Sequence, residues 1–217
     1  MIRLDALALR PQGSGVQTYV RELLRALPAA WPEARFVASV ERSAAAMVPT
    51  GIEVDAVRIP FDHGVVRKAC ARWRSGPSSS LVHGLDTDLP RSAGGAATVV
   101  TVHDLALFDV PWAFREPVRV VKAAAVASAI RRADVVISVS TFTAERVAAR
   151  FGRTSVIVHE AAAPGFGMPD AAAVRAVRER HILPERFVLY VGNLEPRKDV
   201  PTLAAACRAA GLPLVVA

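Results

Sequence analysis

Short apolar runs that alternate with helical patterns set the strongest limit on what this chain can fold into. Such runs stand at Ile2–Leu9, Arg35–Val40, Glu53–Ile59, Leu81–His83, Ala97–Val102, Val135–Val139 and Ser155–Val158. Between several of them apolar residues recur at helical spacing: Val16, Val20, Leu23, Leu24 and Leu27, then Pro117–Arg132 and Thr141–Phe151. Pro28 is expected to stop the first of these patterns, since proline removes a helical hydrogen bond. Strands buried on both faces read as continuous apolar runs, and a crossover helix returns the next strand parallel to the last. The expected fold is therefore α/β, a Rossmann-like doubly wound parallel sheet over residues 1–165.

The pattern changes after Ala161. Residues 161–167 read as a loop and Asp170–Arg180 as a polar helix, so 166–185 is expected to be an interdomain linker. A fresh βαβ sequence then begins: strand Phe187–Val191, loop Gly192–Asp199, helix Val200–Ala210 with Pro201 in its first turn, and strand Leu214–Val216. So few strands cannot bury a doubly wound domain. Residues 186–217 are expected to be the start of a second, incomplete Rossmann-like domain, truncated here.

Apolar residues make up 52% of the chain, enough for a substantial core, while aromatic residues are only 6%; with alanine dominant, closely packed helices are expected. Lys and Arg outnumber Asp and Glu by 27 to 20, a net charge of +7. That balance fits a soluble protein with an arginine bias, or attraction to an anion: a nucleotide diphosphate, an acidic lipid surface or nucleic acid. Cys70 and Cys207 have no ligand or redox spacing and are expected to be buried thiols in a reducing cytoplasm. The first apolar stretch is interrupted at Asp5, and Val118–Ser140 carries Lys122, Arg131, Arg132 and Asp134, so neither a secretory signal nor a membrane span is expected.

Three places offer chemistry. Gly13-Ser14-Gly15 lies between a strand and a helix, where backbone N–H groups can approach an anion; a plain tight turn explains it equally well. His103 and Asp104 follow the strand ending at Val102, the end of a strand where α/β folds place binding groups. His103 could donate to a sugar hydroxyl or carry charge near a phosphate, and Asp104 could orient the ring or cap the next segment. His83-Gly84 repeats that signal more weakly. In Gly192–Asp199, Arg197 and Lys198 set a planar fork and a point charge beside a helix N-terminus, a pairing suited to a diphosphate. A basic stretch, Arg67-Lys68 and Arg72-Trp73-Arg74, fits a solvated face or, if helical, an anionic membrane surface.

Four segments taken together resemble one family. "GSGVQTYVRELLRAL", "TVVTVHDLALFDVPWAF", "RRADVVISVSTFTAERVAARFG" and "RFVLYVGNLEPRKDVPTLAAA" stand in the order seen in retaining glycosyltransferases of family 4, which have the GT-B fold. The resemblance implies two facing Rossmann-like domains, with the acceptor bound largely by the first and the nucleotide sugar by the second. It implies that Gly13, Ser14 and Gly15 form the glycine loop near the donor phosphates, that His103 lies beside the donor sugar, and that Lys198 with Arg197 neutralises the leaving diphosphate. The implied reaction is transfer of a hexose, mannose being the leading candidate, from a nucleotide-diphosphate sugar to a glycan or lipid-linked acceptor. It proceeds with retention and needs no metal or other cofactor. The expected location is the cytoplasm, either free or at the inner face of the membrane.

Two departures qualify the match. Many relatives have arginine where Asn193 stands, so one phosphate contact is expected either to be lost or to move to Arg197. The family's late Glu-x7-Glu segment has no counterpart; Glu33 and Glu41 share its spacing by chance, away from any glycine-rich phosphate loop. The chain alone is thus expected to be inactive or nearly so. A second expectation, from another class, is a non-catalytic half-domain that holds a glycan or a partner. Nucleic-acid binding has no recognised motif behind it and is not expected.

Overall fold

A computed structural model describes residues 1–11, 15–59, 66, 69–70, 73, 78–163 and 165–217. Gly13, Ser14 and the basic residues Arg67, Lys68, Arg72 and Arg74 lie outside the described residues. The chain divides into two compact units, Met1–Ala161 and Ala162–Ala217.

The first unit is built on strands β1 (Ile2–Asp5), β2 (Phe36–Glu41), β3 (Ile52–Val57), β4 (Leu81–Gly84), β5 (Ala97–Val102), β6 (Val135–Ser138) and β7 (Val156–Ile157). They form one sheet in the order β3-β2-β1-β4-β5-β6-β7, every neighbouring pair parallel. This is the expected α/β doubly wound architecture. The order reverses direction between β1 and β4, and α/β sheets bind ligands beyond the carboxyl ends of the strands at such a switch point.

Strand alternation assigns the two faces. Ala38, Leu4, His83 and Val99 are register partners and so share one face. There Leu4, Phe36, Ala38 and Val40 pack against Val20 and Leu24 of helix α1 (Gly15–Ala30). Both helix residues are fully buried, and burying a side chain of that size contributes about 1.5–3 kcal/mol. On the other face Val82, Val100, Val102 and Val136 meet Val126, Ala129 and Ile130 of α3 (Val118–Arg132) and Val147 of α4 (Thr141–Phe151). A short helix α2 (Ala106–Asp109) and a turn of 3-10 helix at Pro111–Ala113 link β5 to α3. The alanine-rich composition finds its use here: Ala123, Ala127, Ala129 and Ala133 are all buried.

Helix ends follow local chemistry. Ser140 caps α4 by accepting from the Thr143 N–H at 3.1 Å, and Gly152 ends it with φ +62°. Pro28 does not end α1, which runs on to Ala30. In the last turn a proline forfeits only its own bond to the preceding turn, and Trp31 N–H closes the helix on the Leu27 carbonyl at 2.9 Å.

In the second unit α5 (Ala171–Arg180) is capped by Asp170, whose Oδ1 accepts from Ala173 N–H at 2.7 Å. Strands β8 (Val188–Tyr190) and β9 (Leu214–Val216) pair in parallel, joined through a 3-10 turn at Pro196–Lys198 and helix α6 (Val200–Ala209). Cys207 is buried as expected, whereas Cys70 is half-buried. No helix among the described residues is long and apolar enough to cross a membrane.

Candidate functional site

The carboxyl ends of β1, β4 and β5 bring together residues far apart in sequence. Leu85, just past β4, donates its N–H to the Asp5 carbonyl at the end of β1, 3.2 Å away, which closes the backbone across the switch point. Thr101, in β5, is completely buried, and a buried hydroxyl requires partners. Its Oγ1 meets His83 Nε2 at 2.9 Å and the Tyr19 hydroxyl at 3.2 Å. All three lie on the α1 face of the sheet.

Two residues beyond Thr101 along the same strand direction, His103 emerges at the rim. Its Nε2 is 2.9 Å from the Leu85 carbonyl and its Nδ1 is 3.1 Å from Glu160 Oε1. A carbonyl oxygen only accepts, so Nε2 carries a proton in this arrangement. Tyr19 packs edge-on against the ring, centroids 4.7 Å apart, and the Thr143 hydroxyl donates to the His103 carbonyl at 3.3 Å. The imidazole is thereby held on three sides and by its own backbone, with 13% of its side chain exposed.

Asp104 points forward rather than back. Its Oδ1 accepts from Ala106 N–H at 3.0 Å, which caps the turn into α2. The carboxylate on the ring is that of Glu160, which sequence reasoning missed. Glu160 stands just beyond β7, so a survey of acidic residues at strand ends would have flagged it. Tyr19 was missed as well; on α1 it shares the helical spacing of core residues and gave no separate signal.

Burial shifts both partners of Thr101. It pushes the His83 imidazole down to about 4, so this ring is neutral at neutral pH. It raises the Tyr19 phenol above its usual range, with the Thr101 hydrogen bond opposing and Glu160 adding a smaller push. Tyr19 is therefore a neutral donor or acceptor.

Of the proposed glycine loop, Gly15 is described: it opens α1, and a Cβ added there meets nothing within 4 Å. No group of three or more His, Cys, Asp or Glu side chains that could hold a metal ion occurs among the described residues.

In the second unit the loop after β8 is shaped by the Tyr190 hydroxyl, which donates to the Asn193 carbonyl at 2.8 Å. Arg197 Nε is 2.6 Å from Glu195 Oε2, and that pairing holds the Glu195 carboxyl below its usual range. One edge of the guanidinium is committed to this partner. Lys198 is exposed at the end of the 3-10 turn, and Asp199 takes a left-handed conformation, φ +47°, before α6.

Residues 13–160, which hold β2 to β7 and the whole His103 constellation, match the model of Glycosyltransferase Family 4. The chain belongs to glycosyltransferase family 4. No curated protein matches it. Membership of glycosyltransferase family 4 makes a sugar donor and an acceptor the substrates of this domain. The rim carrying His103 lies one strand from the switch point, the part of the sheet where doubly wound folds in general bind ligands.

Proposed function

We propose that the chain serves retaining transfer of a hexose, mannose first among the candidates, from a nucleotide-diphosphate sugar to a glycan or lipid-linked acceptor. The observation that carries this reading is the fixed imidazole of His103 at the ligand-binding rim of a family 4 domain. His103 is the group that faces the donor sugar. Leu85 and Glu160 hold its ring in plane, and Tyr19 limits its tilt. Pre-positioning of this kind lowers the barrier because little reorganisation is left for the reacting complex. Asp104 shapes the chain that follows, and in this reading it fixes the rim rather than touching the sugar.

As the sugar–phosphate bond breaks, the electron pair goes to the diphosphate oxygen and negative charge builds there. Lys198 is the cation best suited to receive it, since Arg197 already shares its guanidinium with Glu195. Arg197 contributes its remaining N–H groups; the assignment of Gly13, Ser14 and Gly15 to the donor phosphates rests on the family resemblance alone. With these groups neutralising the diphosphate, the reaction requires no metal ion. We place the reaction in the cytoplasm, at the inner face of the membrane where lipid-linked acceptors are met; the net charge of +7 supports that placement.

The test is a donor screen on the protein that carries this chain. A panel of nucleotide-diphosphate hexoses is incubated with and without glycan acceptors, and nucleotide diphosphate release is measured. Acceptor-dependent release with at least one donor is expected, and Lys198→Ala should lower its rate by about 10²-fold, the usual cost of losing one such stabilising group. Release unaffected by Lys198→Ala would show that Lys198 does not stabilise the leaving diphosphate.

A further inference from the structure

The rim that carries His103 also carries a charged cavity that nothing above uses. Two adjoining cavities of about 760 and 360 Å³ share Glu41, Ser43 and Ile59 in their linings. Arg42 and Arg58 complete the larger, and Arg10 and Pro11 the smaller. Each residue follows or closes a strand at its carboxyl end: Arg10 after β1, Glu41 and Arg42 at the end of β2, Arg58 after β3. The cavity therefore opens on the same edge of the same sheet as His103.

Its charge is lopsided. Among the described residues three guanidinium groups and one carboxylate line it, and that carboxylate has local work to do. Glu41 accepts from the Ser43 N–H at 2.8 Å and from the Ser43 hydroxyl, capping the 3-10 helix Arg42–Met47. The Ser43 hydroxyl chiefly, with Arg10 as a lesser cause, holds Glu41 below its usual range, so it stays ionised and offsets one positive charge. Arg10 is anchored by Nη1, which donates to the Leu7 and Leu9 carbonyls at 3.0 and 2.8 Å. Arg42 and Arg58 are exposed, and their planar forks suit phosphate or carboxylate oxygens.

We propose that this cavity receives an anionic group of the acceptor, a phosphate or a carboxylate, so that the acceptor is a negatively charged glycan or phosphoglycan rather than a neutral sugar. The inference rests on the transferase reading above. Strand spacing gives its geometry. β1, β2 and β3 stand two, three and four strands from β5, roughly 10, 14 and 19 Å at the usual inter-strand distance. The anion thus sits farther from His103 than one sugar ring spans, on a part of the acceptor other than the unit being glycosylated.

Calorimetric titration of the chain at low ionic strength tests this with three pairs of probes: mannose and mannose 6-phosphate, glucose and glucuronic acid, and vesicles of phosphatidylcholine without and with phosphatidylglycerol. At least one anionic probe is expected to bind about tenfold or more tighter than its neutral counterpart, and Arg42→Gln with Arg58→Gln to erase about tenfold of that. Circular dichroism and melting check that the double variant folds; should it not, Arg58→Lys takes its place, with a loss of about threefold expected because the charge stays while the fork goes. Response to the soluble anionic sugars assigns the group to a soluble glycan, and response to the anionic vesicles alone assigns it to a lipid headgroup. Equal binding of anionic and neutral probes, or anion binding that the arginine substitutions leave unchanged, overturns the proposal. Failure of the transferase reading looks different: anion binding at these arginines with no acceptor-dependent transfer by the protein that carries this chain. Transfer with equal kcat/KM on neutral and anionic acceptors counts against the cavity alone.

Discussion

Nδ1 of His103 lies 3.1 Å from Oε1 of Glu160, a residue 57 positions later in the chain. The two meet because β5 and β7 end on the same rim of the sheet with only β6 between them. Glu160 is about half exposed, and polar side-chain contacts that open to water add at most about 1 kcal/mol to stability. Its weight falls on where the imidazole stands.

Glu160→Ala is accordingly expected to leave the melting temperature within about 4 °C of wild type. It should lower kcat by about 10- to 100-fold, the usual cost of a small misplacement at a reacting centre, with little change in donor KM. Glu160→Gln keeps an acceptor oxygen and should recover part of the loss. Steady-state kinetics of the three proteins decide it; a merely structural role would move stability and leave kcat alone.

His83 predicts a pH effect on stability. Its pKa falls from an unfolded value near 6.5 to about 4 in the fold because the ring is buried. Between those values the unfolded chain binds the proton and the native state does not, so stability falls as pH drops through that window. The contribution lost is about 3 kcal/mol by pH 4. His83→Gln, which can still meet Thr101, should flatten the slope of unfolding free energy against pH between 6.5 and 4. An unchanged slope would show that His83 titrates normally.

Gly84 ends β4 immediately before the carbonyl that holds His103. A Cβ at this position would stand 2.2 Å from the Asp88 backbone oxygen, so the backbone must shift. Gly84→Ala is expected to cost about 1–3 kcal/mol and to lower transfer as well, because Leu85 moves with it. Chemical denaturation and the transfer assay together check this; a fully stable, fully active Gly84→Ala would mean that the Asp88 segment yields freely.

The parallel sheet was legible because buried strands stand out as apolar runs; Leu81–His83, Ala97–Val102 and Val135–Val139 each mark a strand within a residue or so. Pro28 misled because a proline's cost depends on its place in the helix, and in the last turn that cost is one hydrogen bond. His103 could be singled out by its position after a strand. Leu85 and Tyr19 could not, since they are gathered by strand order and helix placement, neither of which leaves a local pattern; Glu160 carried the weaker signal of an acid just beyond a strand end, and its pairing with His103 did not show. The arginine cavity was illegible for the same reason: Arg10, Arg42 and Arg58 lie on three separate connections and meet only because β1, β2 and β3 are neighbours.

His103 is the residue on which the proposed transfer most depends. Acceptor-dependent sugar transfer by the protein that carries this chain should be measured for wild type and His103→Ala, with the anomeric configuration of the product read by NMR. The expected result is transfer with retention by the wild type and a loss of about 10²-fold or more in kcat for the variant, with folding unchanged. Full activity in His103→Ala, or no transfer from any nucleotide-diphosphate hexose by the folded wild-type protein, would contradict it.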